Sequence, residues 1–321
     1  MYKYIATRVL LAIPTLFIVS VVIFVIMRIL PGDPLVSFMG IELDQLQYVT
    51  PEERQALLAD LGMDKPWIEQ YAVWMGGVLR GDMGESFLRG DSISKVIAKR
   101  GLLSAEIGII GVLIAWIIGL PAGIIAAVRP NSLLDGFTST ITVFFLAVPG
   151  FWMALLIVVA GILMFGYKAP ITNIPFYENP WGNFQMVIGP AFVIGVGAAA
   201  FIARITRSAM FEVLREDYIR TARAKGLSSR LVLVRHAFPN ALLSVITVSG
   251  LLLAFSVGGS ITVEIAFVVP GLGKTLAQAI IARDLMMVQN LTLVYAAVFI
   301  VINLFIDLTY GRIDPRIRLT D

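Results

Sequence analysis

Four features of this chain carry residue types at spacings that could do chemistry. Pro270-Gly271-Leu272-Gly273-Lys274-Thr275 ends in the Gly-Lys-Thr of a phosphate-binding loop, where backbone N–H groups and a lysine cradle a nucleotide. The pattern needs another glycine five residues before Gly273, and Val268 stands there. The segment therefore reads as a tight turn and then a short helix from Lys274 to Ala282. His236 is the only histidine, and there is no cysteine. A metal site needs several such ligands, so His236 reads as a loop residue, and no metal or other cofactor is expected. Glu106, Glu264 and Asp307 flank or enter apolar runs, a setting in which acids serve ion or proton pathways. All three lie near run ends, where water or a basic neighbour is in reach, such as Arg312 for Asp307, and they form no midspan relay. No nucleophile–base pair or carboxylate dyad points to hydrolysis, so the chain reads as non-catalytic.

The fourth feature is the most informative. Asp217 to Asn240 is polar and basic, and Arg204 to His236 holds eight Lys/Arg against three Asp/Glu. Its chemistry is charge-assisted binding rather than bond making. Tyr218 to Lys225 contains no Pro or Gly and is rich in Ala and Arg, so it reads as a helix. Gly226 stops it as a C′ glycine, Ser228 or Ser229 can cap a second helix, and Pro239 precedes the next apolar run. Arg220 and Arg223, three apart, share a face. A rigid basic helix-turn-helix of this kind is built to contact a partner.

The elements that position it are membrane spans. The chain is 58% hydrophobic and 15% charged, where a soluble domain carries about 25% charged residues. The net charge of +3 gives no reason to expect nucleic acid. Runs of about 20 apolar residues read as spans: Val9 to Met27, then 107–128, 137–166 with Pro149-Gly150 inside, 187–203, 241–263 and 291–310. A signal peptide competes for the first run, but no small-x-small cleavage site follows it. Basic residues gather on the cytoplasmic side of membranes, which puts both termini, 129–136 and 204–240 inside. Outside fall 29–100, 167–186 and 264–290. Ile29 to Lys95 carries eleven Asp/Glu and five Lys/Arg. Within it, Thr50-Pro51-Glu52-Glu53 is a capped helix start, and Gly62 is a stop. Pro66 to Leu79 reads as an amphipathic helix with Ile68, Tyr71, Trp74, Met75 and Val78 on one side, and Trp67 and Trp74 at the lipid interface. The fold class is all-α: an N-terminal transmembrane helix (1–28), an external cap segment (29–100) and a core (101–321) bearing the loop 204–240. The small residues Gly195, Gly197, Ala198, Ala199 and Ala200 suit close helix packing or the lining of a gated passage.

The loop resembles the coupling loop of binding-protein-dependent ABC importer permeases, whose signature is Glu-Ala-Ala, three residues, Gly, nine residues, Ile-x-Leu-Pro. Gly226 and Pro239 have that separation; Thr221 and Ala222 fall on the alanines, His236 on the isoleucine, Phe238 on the leucine, and Arg220 replaces the glutamate. Other segments are similar to the branch that imports dipeptides, oligopeptides and nickel: Arg28-Ile-Leu-Pro31-Gly32-Asp33-Pro34, Leu79-Arg80-Gly81-Asp82-Met83-Gly84-Glu85-Ser86-Phe87, Pro149-Gly150-Phe151-Trp152, Pro270 to Gly273, Arg283-Asp284 and Asp314-Pro315-Arg316. The resemblance covers nearly the whole chain and is specific for the B-type permease subunit of these importers. It implies a six-span type I ABC importer permease fold in a bacterial or archaeal inner membrane. It also implies a heterodimeric pore with a second permease, two cytoplasmic ATPases and an external substrate-binding protein, with membrane lipid around them. Arg220, Thr221, Ala222, Arg223, Lys225, Gly226, His236 and Pro239 are then the ATPase-coupling residues. Peptide is the favoured substrate over nickel, glutathione or oligosaccharide. The competing functions are a secondary carrier or channel without an ATPase, and an exporter subunit or membrane scaffold.

Overall fold

The computed structural model describes residues 2–30, 35, 48–60, 62–86, 90–166 and 174–313. Pro31 to Pro34, Phe87 and Asp314-Pro315-Arg316 fall outside them. Among the described residues, five helices are long and apolar enough to cross a membrane, and a bent pair supplies a sixth if it counts as one span. The first is α1 (Tyr2–Ile29).

The cap segment holds α2 (Pro51–Asp60) and α3 (Trp67–Leu79). Thr50 and Glu53 cap each other as their spacing predicts: Glu53 N–H donates to Thr50 Oγ1 at 3.3 Å, and Thr50 N–H to Glu53 Oε2 at 2.9 Å. The Thr50 backbone and hydroxyl donors hold the Glu53 carboxyl below its ordinary pKa. On α3, Tyr71, Trp74, Met75 and Val78 pack on Phe24 and Leu293, whereas Ile68 is 83% exposed and does not belong to that face. Trp74 is not an interface residue: it is buried, stacks on Phe24, and donates Nε1–H to Asn290 Oδ1 at 3.1 Å. A buried indole needs an acceptor, and Asn290 also donates to the Met83 carbonyl at 3.0 Å. The cap is thus anchored to the bundle by a polar seam that the hydrophobic pattern cannot reveal.

The core begins with α4 (Ile93–Val128), which starts well before the expected 107. Its early turns are buried by Leu272, Met287 and Leu291. The expected third span, 137–166, is two helices, α5 (Leu133–Ala147) and α6 (Gly150–Phe165), bent by 92°. Pro149 has no N–H to continue α5 and biases Val148 to extended backbone, ψ 121; Pro149 then opens α6. Next comes α7 (Pro180–Val213), capped by the Asn179 side chain on Gly182 N–H at 2.9 Å.

Helices α4 and α7 approach each other closely. A Cβ at Gly119 would lie 2.6 Å from the Ala199 carbonyl oxygen, and one at Gly123 2.5 Å from that of Ala203. Gly195, Ala198, Ala199 and Ala200 are buried, so packing accounts for these small residues; Gly197 faces open space. After α7 come α8 (Asp217–Ala224), α9 (Ser229–Leu231), a π-helical turn (Val232–Ala237) and α10 (Phe238–Gly259). The expected fifth span, 241–263, ends earlier, because the helix breaks at Ser260 into α11 (Ile261–Ala266) and α12 (Leu272–Ile281). The last described helix is α13 (Leu285–Ile313). Asp307 pairs with Arg8 of α1 at 3.3 Å; the side chain of Arg312, its expected partner, lies outside the described residues.

Candidate functional site

Helix α8 has two inward residues. Ile219 is 0% and Ala222 8% exposed, and they join Ala127 from α4, Ala209 and Met210 from α7, and Val232, Ala237 and Ala241 in one cluster. Burying an isoleucine is worth about 1.5–3 kcal/mol, so Ile219 anchors α8 in a cluster that also takes residues from the ends of three long helices. Arg220, Thr221, Arg223 and Lys225 stay exposed. Arg220 forms an ion pair with Asp217, both exposed, and Thr221 Oγ1–H donates to the Asp217 carbonyl at 2.9 Å.

Gly226 ends the helix as its position predicts, with φ 80. Its N–H donates to the Arg223 carbonyl at 2.9 Å, and the Leu227 N–H to the Ala222 carbonyl at 3.3 Å, the paired bonds of a Schellman turn. No atom lies within 4 Å of where a Cβ would stand, so backbone conformation alone demands glycine. Tyr218 reaches across the loop to the Asn240 side chain; burial, then the Glu216 carboxylate, raises its phenol above the ordinary pKa.

The second half of the loop is more regular than the sequence suggests. Ser229 begins a helical stretch that runs without interruption through α10, and Pro239 sits in the first turn of α10 rather than in a preceding loop. A proline ring there crowds the carbonyl four residues back and offers no N–H. The π turn is the accommodation, with the Phe238 N–H reaching the Leu233 carbonyl five residues back. His236 is half-buried in that turn, and its carbonyl accepts from Asn240 Nδ2 at 2.7 Å. Thus Arg220, Thr221, Arg223, Lys225 and Gly226 come together on one exposed element. Ala222 faces the core, and His236 and Pro239 shape the following turn.

Two further residues brace this end of the molecule. Arg207 of α7 donates Nε–H to Asp135 Oδ1 at 2.7 Å and a terminal N–H to Oδ2 at 2.8 Å. Asp135, 4% exposed, also accepts from Asn131 N–H at 3.0 Å, while Ser132 Oγ caps the Asp135 N–H at 3.2 Å. The Ser132-x-x-Asp135 spacing is a readable helix-start signal; nothing in the sequence pairs it with Arg207.

Comparisons with known proteins agree with this architecture. Residues 119–319 match the family described as binding-protein-dependent transport system inner membrane component, and residues 1–98 match the corresponding N-terminal region. The chain is 37% identical over 318 residues to a Brucella abortus protein provisionally named as a peptide transport system permease, with 99% of each covered. It is 35% identical to the oligopeptide transport system permease protein AppB of Bacillus subtilis, over 99% of this chain and 100% of that one. It is also 35% identical to the dipeptide transport system permease protein DppB of Escherichia coli, with 99% of each covered. Among solved structures, an inward-facing form of the MetNI methionine ABC transporter shares the fold, with a TM-score of 0.56 at 18% identity over 68% of this chain and 96% of that chain. The chain therefore belongs to the family of binding-protein-dependent transport system inner membrane components.

Proposed function

We propose that this permease subunit imports peptides, and that the exposed face of α8 is where its ATPases dock. The family is binding-protein-dependent, so the chain works in a complex with a substrate-binding protein and ATPase subunits. The finer composition we propose is a heterodimer with a second permease, two ATPases on the cytoplasmic side of α8, and hydrolysis confined to those partners. Peptide is supported by relatives whose names specify peptide, oligopeptide or dipeptide transport over the full chain length.

The observation that carries the coupling role is the burial of Ile219 and Ala222 in one cluster with the ends of α4, α7 and α10. A push on α8 moves the ends of these helices together, because packed interfaces switch between discrete arrangements instead of deforming smoothly. Glu106, Glu264 and Asp307, the acids a carrier would use, are all engaged in bonds within the chain. The deciding experiment is uptake of a labelled dipeptide into proteoliposomes holding the whole complex. Uptake should require both the binding protein and ATP hydrolysis. Uptake without ATP would favour a carrier, and ATP-driven uptake of nickel or oligosaccharide with peptide excluded would overturn the substrate.

A further inference from the structure

The turn that imitates a phosphate-binding loop is filled from within. Glu264 of α11 is fully buried. Its Oε1 accepts from the Ser104 hydroxyl at 2.8 Å and the Ser260 hydroxyl at 2.9 Å, and its Oε2 from the Lys274 N–H at 2.8 Å. Ser104 Oγ in turn accepts from the Leu272 N–H at 2.9 Å. The start of α12, with its open N–H groups, thus receives a carboxylate of its own chain. A Cβ at Gly271 would lie 2.4 Å from that carboxylate, and one at Gly273 3.1 Å, which explains both glycines. Arg100 of α4 adds a second tie, donating to Thr275 Oγ1 at 2.8 Å.

This staple holds a strained tip. The Val268 N–H donates to the Ile265 carbonyl at 3.1 Å and the Val269 N–H to the Glu264 carbonyl at 2.9 Å, the bond pattern found at Gly226. The residue in the glycine position is Val268, at φ 61. A β-branched residue takes that conformation only where its surroundings impose it. Just before it, the Phe267 ring is 3% exposed and lies on the α7 backbone, so close that a Cβ at Gly189 would meet it at 2.5 Å. Phe267 also walls a cavity of about 640 Å³ that Val158 and Phe165 of α6 and Gln185 and Ile188 of α7 help to line. Helix α11 packs on α6 and α7, and α12 on α4, α10 and α13. The α11–α12 hairpin therefore lies between the broken helix pair and the rest of the bundle.

We propose that Phe267 is a gate residue at the cap end of the translocation path, and that Glu264 is the positioning residue that holds it against α7. Leaving this arrangement relieves the backbone at Val268, which makes a second arrangement accessible. The proposal rests on the importer family and not on the identity of the substrate.

The chain has no cysteine, so Phe267→Cys places the only thiol of this subunit at the gate. The whole complex, with cysteine-free partners, is reconstituted in vesicles and exposed to a membrane-impermeant maleimide on the cap side. Labelling should be slow without nucleotide and about ten-fold faster or more with binding protein, ATP and vanadate, as for a minor state made dominant. Adding Glu264→Gln should raise the nucleotide-free rate toward the trapped rate. If that variant does not assemble, Ser104→Ala removes one donor to the carboxylate and should shift the rate in the same direction. Equal labelling in the two states overturns Phe267 as the gate. An unchanged nucleotide-free rate in assembled Glu264 or Ser104 variants overturns the positioning role. Stimulation of ATPase activity by the binding protein, measured on the same vesicles, separates a failed gate from a failed importer.

Discussion

Arg207 grips Asp135 with two parallel bonds of 2.7 and 2.8 Å, tying the start of α5 to α7 ten residues before α8 begins at Asp217. Bidentate pairing of this kind is both strong and orientation-specific. Asp135 is nearly buried while Arg207 keeps 38% of its side chain exposed. Arg207→Ala leaves a buried carboxylate short of its partner, at a cost of about 1–3 kcal/mol. Arg207→Lys should recover less than half of that, because a point charge cannot fork. Thermal unfolding of the purified complex, with Asp135→Asn completing a double-mutant cycle, measures the coupling; additive effects would show that the pair contributes nothing.

Ile219→Ala separates leverage from docking. It opens a cavity between α8 and the bundle, worth about 2–4 kcal/mol locally, and leaves Arg220 and Arg223 untouched on the surface. ATPase retention should stay near wild type while uptake per ATP hydrolysed falls. Unchanged coupling would show that α8 does not act through this cluster.

Gly226→Val forces a β-branched residue to φ 80, at about 1–2 kcal/mol. Membrane insertion should be normal, with ATPase binding and transport reduced; Gly226→Asn, which tolerates the left-handed region, should keep most of both. Full transport by the valine variant with ATPases bound would refute the lever.

The double change Arg220→Ala with Arg223→Ala tests docking directly. Shielded bonds from arginine to an acidic or carbonyl partner are worth about 1.5–3 kcal/mol each. The exposed pair of Arg220 with Asp217 competes only weakly. Co-purification of the ATPases at moderate salt should drop by an order of magnitude or more, with membrane level and orientation unchanged. Wild-type retention would assign these arginines to lipid headgroups.

Orientation is checked with reporters at residues 60 and 228. Residue 60 should be external and residue 228 cytoplasmic, following the basic residues between Arg204 and His236. A cytoplasmic residue 60 would overturn the assignment of both faces.

Local rules were enough for much of this molecule. Apolar run length announced the membrane helices, the Thr50–Glu53 spacing a mutual cap, Gly226 a left-handed helix end, and the order of short motifs the importer family. These features depend on neighbours in the chain, and a residue's type constrains them directly. Tertiary structure decided where side chains meet across the bundle. Trp74 looked interfacial until Asn290, 216 residues away, supplied its acceptor. Asp135 stands three residues after Ser132, a helix-start spacing, but only the packing of α7 on α5 brings Arg207 to it. Pro149 stands inside the apolar run 137–166 in the sequence, but the 92° turn there depends on what α6 packs against. Glu264 was visible as an acid near a span end, and Gly271-Leu272-Gly273-Lys274 as an anion loop lacking a glycine. Only folding shows that each satisfies the other, because a hydrogen bond depends on distance and direction in space, which sequence separation does not encode.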